Sequence, residues 1–407
     1  AHVEGQPNAY RPDLRGPDFD AVAVSLRSGP SEPSAHATQT ARVIYGNAGL
    51  APGVEVVHAM TTGDYLGRHA LRADTLAPPL SADDEPTAFS PRVYTHSWIG
   101  NPPENQAARI LRRLDHHVDT RDVLVVAGVN NGADSPVPAL LGSAHNAIAV
   151  GAVNGRSSGG GTTVETPGRA KPDLVAANGL TSFATPVVAA VAALCLEQAD
   201  RLVEQGHPTA NRAEVIKAAL LTGATKPPGW TPAPGRPLDN HLGAGEVHLD
   251  RALRILAAPA AAPGSTIKRL SGWAYPTLEN ASTASFDLKL PIATGPVTLT
   301  AVWHRRIDGR TARVTRRDTN EQTSFWLDTP RLADIDLRLL RIDDTGTERE
   351  LAASTSRLDN VEHLHLPSLD KGHYRLELTR DPTHDSFAEP WEVALAWFID
   401  RPASSNR

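Results

Sequence analysis

Residues 178–195, Asn-Gly-Leu-Thr-Ser-Phe-Ala-Thr-Pro-Val-Val-Ala-Ala-Val-Ala-Ala-Leu-Cys, constrain this chain most. The run after Ser182 is apolar on every side, so a helix here offers no face to water and must be wrapped by other elements. A Gly-containing turn delivers Thr181 and Ser182 to its start, which makes Ser182 a helix-start serine. Pro186 falls near the beginning, where a missing N–H and the ring cost little. A hydroxyl at the positive end of a helix dipole suits chemistry that develops negative charge. The plainer alternative is an N-cap serine without chemistry.

A helix of this kind needs a large core around it, and 407 residues suffice for two domains. Hydrophobic residues at 40% and charged residues at 21% describe an ordinary globular chain rather than a disordered one. No unbroken run of eighteen apolar residues occurs, so no transmembrane helix is expected. The net charge of -6 argues against a nucleic-acid partner, which would want a basic face. Cys195, the one cysteine, excludes an intrachain disulfide and reads as core rather than nucleophile. Ala1-His2-Val3 runs straight into Glu4-Gly5 with no recognisable signal peptide, so any targeting or pro-segment is expected outside this chain.

Strand and helix patterns alternate in the first half. Residues 92–100 read as a strand, 109–121 as a helix, 122–132 as a fully buried strand ending in a Gly/Asn turn, and 146–153 as a second buried strand. Such alternation implies a parallel sheet with helices on both faces, and ligands bind at the carboxyl ends of its strands. Glu4, the Ser97 segment and Asn130 would emerge at that edge. His36, one of 16 histidines, is singled out by the small residues around it at the head of a helical pattern (34–46).

Several motifs carry a resemblance. Gly179-Leu180-Thr181-Ser182-Phe183-Ala184-Thr185-Pro186 resembles the nucleophile motif Gly-Thr-Ser-x-Ala-x-Pro of the subtilisin-like serine proteases, with Leu180 inserted. Lys171-Pro172-Asp173-Leu174-Val175-Ala176, the His36 segment with Leu50-Ala51-Pro52-Gly53-Val54, and Asn240-His241-Leu242-Gly243-Ala244-Gly245-Glu246-Val247 are similar to further hallmarks of that family. The resemblance covers residues 1–256. It implies Ser182 as nucleophile, His36 as base, and Glu4 where the family normally has Asp, with Asp18 or Asp20 as substitutes should Glu4 not serve. It implies Asn130 as the oxyanion-hole donor, with Asn131 the register alternative. The substrate walls would come from Ser97, Trp98, Ile99, Gly128 and Val129. Ile99 and Val129 stand where Gly is expected, which implies a shallow or partly blocked pocket favouring small side chains.

The function implied is a serine endopeptidase acting on peptide or protein substrates, secreted or held at a bacterial-type cell envelope. The rival is a weak or inactive subtilisin-fold binding protein whose second domain carries the function. The chemistry requires no cofactor; structural calcium and the oligomeric state stay open.

Residues 257–266 are an Ala/Pro linker by composition. Beyond it, Trp273, Trp303, Trp326 and Trp397 lie in short alternating segments, the pattern of an antiparallel β-sandwich similar to the jelly-roll modules of secreted bacterial proteases. Asp334 and Asp336 share one strand face, open to calcium but read as a solvated acidic face. His363 with His365, and His116 with His117, read as surface residues rather than zinc ligands. The sequon at Asn280 matters only in a glycosylating host. The expected architecture is α/β: a subtilisin-like parallel sheet flanked by helices over 1–256, then an all-β sandwich over 267–407.

Overall fold

The structure is a computed structural model and describes the chain except residues 20–21, 76, 78, 80–90, 233–234, 316–321, 386 and 403–407. It forms two compact units. The first comprises Ala1–Pro167, Ala176–Ala193 and Arg305–Arg331; the second comprises Gly168–Val175, Leu194–His304 and Leu332–Arg407.

A seven-stranded sheet organises the first half. Its strands are β1 (His2–Glu4), β2 (Ala23–Leu26), β3 (Val56–Thr61), β4 (Val93–His96), β5 (Leu124–Gly128), β6 (Ile148–Ala152) and β7 (Leu174–Ala176), in the spatial order β2-β3-β1-β4-β5-β6-β7. The pairings from β2 through β6 are parallel. β5 and β6 are buried at every residue, as their unbroken apolar sequences require of strands covered on both faces. Because the strands run the same way, Glu4, His96 and Gly128 all stand at one edge, the carboxyl ends.

The flanking helices are α1 (Ala35–Tyr45), α2 (Glu104–Arg121) and α3 (Thr181–Glu204), followed by α4 (Ala213–Gly223) and α5 (Leu249–Leu256). Ser34 caps α1 by accepting from Ala37 N–H. α3 is long and apolar enough to cross a membrane, and 61% of its most apolar window is buried in the structure. Arg212 stands at the N-cap of α4, and the preceding Asn211 donates to Asp200. The Lys171-Pro172-Asp173 hallmark is a buried ion pair, Lys171 Nζ to Asp173 Oδ2 at 2.7 Å.

In the second unit, two sheets carry the aromatic residues. One orders Thr266–Ile267, Thr283–Leu290, Gly372–Arg380, Ile335–Ile342 and Glu348–Ser354; the other orders Ser271–Ala274, Ala394–Ile399, Val297–Val302 and Val361–Leu366. All pairings are antiparallel except the two-residue edge strand Thr266–Ile267. Alternate residues of Thr283–Leu290 are buried, the period of a strand with one face to the core. Trp273, Trp303, Trp391, Trp397 and Phe286 fill that core.

Trp326 lies elsewhere. It belongs to the hairpin Arg306–Thr315 and Gln322–Arg331, in the first unit, where its ring packs on His116 at 5.3 Å and under the Arg113 guanidinium at 5.0 Å. The surface reading of two histidines also fails. His117 is 3% exposed against Tyr94 on the apolar face of its helix, and His363 is 4% exposed between Thr300 and Lys226, covered on the strand face opposite the core residues Leu364 and Leu366.

Candidate active site

β1 alternates its side chains, and with only three residues it presents His2 and Glu4 on the same side. Glu4 is 3% exposed and both of its carboxylate oxygens are engaged. Oε2 lies 2.8 Å from His36 Nδ1 and Oε1 lies 2.9 Å from His2 Nε2. An ionised carboxylate only accepts, so both imidazole N–H groups donate to it. Thr40, one turn after His36 on α1, places its hydroxyl 2.8 Å from His2 Nε2 and 3.4 Å from Glu4 Oε1. Tyr45 OH, 3.0 Å from His2 Nδ1, completes the support.

The electrostatics follow from these contacts. Burial opposes the charge on Glu4, but the hydrogen bonds and charges of His2 and His36 outweigh it and hold the carboxyl at about 2. The Glu4 hydrogen bond in turn raises His36 above its ordinary value, against a smaller opposing effect of burial. With Nδ1–H committed to Glu4, His36 Nε2 is left as an acceptor.

Ser182 is the second residue of α3, and the Leu180 carbonyl accepts from Phe183 and Ala184 N–H to start the helix. The inserted Leu180 thus occupies the capping position. Pro186 is inside the helix rather than in its first turn. Its missing N–H deprives the carbonyl of Ser182, four residues back, of a helical donor. Ser97 Oγ supplies one at 2.8 Å, while Ser182 Oγ bonds the Ser97 carbonyl at 3.5 Å. The Ser182 hydroxyl is therefore turned to Ser97 and is not hydrogen-bonded to His36. The His36 ring lies 5.9 Å from that of Phe183, the next residue.

The Asn pair divides its labour. Asn131 Oδ1 accepts from Thr181 N–H at 2.9 Å and Thr181 Oγ1 at 3.1 Å, tying down the start of α3. The Asn130 backbone is fixed by Ser158, through N–H to Oγ at 3.0 Å and carbonyl to Ser158 N–H at 2.9 Å. Its side-chain amide makes no hydrogen bond among the described residues. Ser97, Trp98, Ile99, Gly128, Val129, Asn130, Asn131, Thr181 and Ser182 line one cavity of about 160 Å³. Gly128 permits this close fit, since a Cβ there would lie 2.9 Å from Thr185 Oγ1.

His2, Thr40 and Ser158 were not singled out by sequence reasoning. The spacing of His2 two residues before Glu4 on a strand, and of Thr40 four after His36 on a helix, was the available signal. Of the alternative acids, Asp18 pairs with Arg42 at 2.8 Å, and Asp20 lies outside the described residues. Asp334 and Asp336 do not form the solvated acidic face expected of them: they are 7% and 9% exposed, and Asp336 is paired with Arg338 at 2.8 Å.

The family model for the subtilase family matches residues 23–245, a span that holds His36, Asn130 and Ser182 and starts after Glu4. No curated protein matches the chain. Similar solved structures include the prenylagaramide maturation protease PagA, 20% identical over 62% of this chain and 92% of that one, with a TM-score of 0.42. The patellamide maturation protease PatA is also 20% identical, over 63% and 96%, with a TM-score of 0.43. Fervidolysin from Fervidobacterium pennivorans, a keratinolytic enzyme related to subtilisin, is 14% identical over 90% and 66%, with a TM-score of 0.41.

Proposed function

The chain belongs to the subtilase family of serine endopeptidases, and from that premise we propose that Ser182 is its nucleophile, His36 its general base and Glu4 the carboxylate that orients the imidazole. His36 Nε2 takes the Ser182 proton as Oγ attacks the scissile carbonyl, then returns it to the leaving amine. Glu4 holds the tautomer and stabilises the imidazolium. Asn130 and the Ser182 backbone N–H donate to the oxyanion. For this, Ser182 Oγ leaves the Ser97 carbonyl by rotating to another staggered well, a small step for an unbranched side chain.

The observation that carries this reading is the 2.8 Å contact between Glu4 Oε2 and His36 Nδ1. Glu is one methylene longer than Asp, and its carboxylate meets the imidazole at hydrogen-bond distance all the same. The cavity beside Ser182 supports peptide substrates with small side chains at the residue before the cleaved bond. A secreted or cell-envelope location rests on the habit of the family.

A fluorophosphonate probe tests the assignment. Wild type is expected to be labelled and Ser182→Ala not, while Glu4→Gln is expected to lower turnover by about 10⁴, the precedent for losing a triad acid. Absence of labelling in the folded wild type would leave a subtilisin-fold binding protein instead.

A further inference from the structure

Three side chains in the second unit, remote in sequence from the cleft residues, converge at one end of the antiparallel pair Ile335–Ile342 and Gly372–Arg380. Ile335 faces Arg380 in the register, so Asp334 and Asp381 follow as neighbours, and Asp381 N–H donates to the Asp334 carbonyl at 2.8 Å. The turn after Asp381, closed by Thr383 N–H to Asp381 Oδ1 at 2.7 Å, brings His384 back over the pair. His384 Nδ1 then lies 3.4 Å from Asp334 Oδ2 and 3.7 Å from Asp381 Oδ2.

Asp334 is 7% exposed, and its Oδ1 has no hydrogen-bond partner among the described residues. A buried carboxylate oxygen without a donor is costly to keep charged. A cation shared with Asp381 is what would favour its charged form. His384 and Asp381 open to solvent, which gives an ion a way in.

We propose that Asp334, Asp381 and His384 bind a divalent transition-metal ion of the zinc class. Donors bonded at about 2.0–2.2 Å around a tetrahedral ion stand about 3.3–3.6 Å apart, close to the two separations seen. The donor set selects the ion class. Calcium takes six to eight oxygens, whereas an imidazole with two carboxylates suits zinc and its neighbours. Asp336 is held by Arg338 and does not complete an all-oxygen site. Thr383 fixes one Asp381 oxygen and leaves the other for the ion, the usual role of a supporting hydrogen bond.

Titration calorimetry of Zn²⁺ alone into the full chain, freed of metal with EDTA at pH 7.5, tests this. Wild type is expected to show a site whose affinity falls at least tenfold in His384→Gln, an exposed position where substitution spares the fold. Asp334→Asn, with folding checked by circular dichroism, is expected to do the same. Zinc binding unchanged in the folded His384→Gln variant, or no zinc binding to wild type, overturns the site. Calcium binding that depends on His384 and Asp334, without zinc binding, overturns the ion class.

Discussion

Ser97 Oγ donates to the carbonyl oxygen of Ser182 at 2.8 Å, and Pro186 is the reason that oxygen is free to accept. The end of β4 is thereby tied to the first turn of α3. Ser97→Ala strands a carbonyl that has no helical donor, at a cost of about 1–3 kcal/mol in unfolding free energy. It is also expected to lower kcat more than it raises KM, since the helix start that carries the nucleophile loses its tie. Ser97→Thr keeps the hydroxyl and should recover most of both. Denaturant unfolding with steady-state kinetics checks this; an unchanged Ser97→Ala enzyme would sink it.

His2 grips the Glu4 oxygen that His36 does not. With His2→Ala the carboxylate keeps, among the described residues, the longer 3.4 Å contact from Thr40 at that oxygen. A displacement of about 1 Å at such a group can cost about 10²-fold, and a loss in kcat/KM of up to that size is expected. His2→Gln, which still donates, should be milder. If His2→Ala altered KM alone, the residue would act on substrate rather than on Glu4.

The pH profile follows from the sign of the shifts. His36 serves as base only when neutral, and Glu4 raises its pKa above the ordinary value of 6.5. Activity is expected to rise with pH through an apparent pKa above that value, and the limb should move to lower pH in Glu4→Gln. Glu4 itself is held at about 2 against an ordinary 4.5. Its contribution to stability is therefore full above 4.5 and lost as pH falls toward about 2. Unfolding free energies of wild type and Glu4→Gln should converge on acidification; a constant gap would contradict the shift.

The parallel sheet was legible because β5 and β6 are unbroken apolar runs, and the helix start because a turn, two hydroxyl residues and an apolar stretch stand together. The supporting shell was harder. His2 carries no local mark of its role, because its meaning comes from Thr40 and Tyr45, brought to it by the fold. His363 failed as a surface residue for a similar reason: alternation along its strand shows a face but not what covers it. Pro186 was read as harmless by position, whereas its consequence lies in the acceptor it frees and in a serine 85 positions away that fills it.

Asn130 and Asn131 make different predictions from adjacent positions. Asn130→Ala removes a side-chain amide that makes no hydrogen bond among the described residues, so stability should hold while kcat falls by about 10²–10³. Asn131→Ala removes the acceptor for Thr181 N–H and should cost about 0.5–2 kcal/mol of stability. Thermal unfolding alongside kcat separates them. The reverse pattern would move the oxyanion role to Asn131.

Ile99 and Val129 narrow the cavity in unequal ways. Ile99 is 39% exposed at the mouth, whereas Val129 is fully buried. Wild type is expected to cleave peptide libraries after small residues, and efficient cleavage after Phe or Leu would contradict a shallow pocket. Ile99→Gly removes side chain from the mouth without opening the core. It should raise kcat/KM for Leu at the residue before the cleaved bond by about tenfold or more, since one methylene of pocket fit is worth about 1–3 kcal/mol. Val129→Gly removes a buried side chain and should destabilise by about 2 kcal/mol or more before any gain in specificity appears. The two variants thus distinguish a pocket limited at its entrance from one limited at its floor.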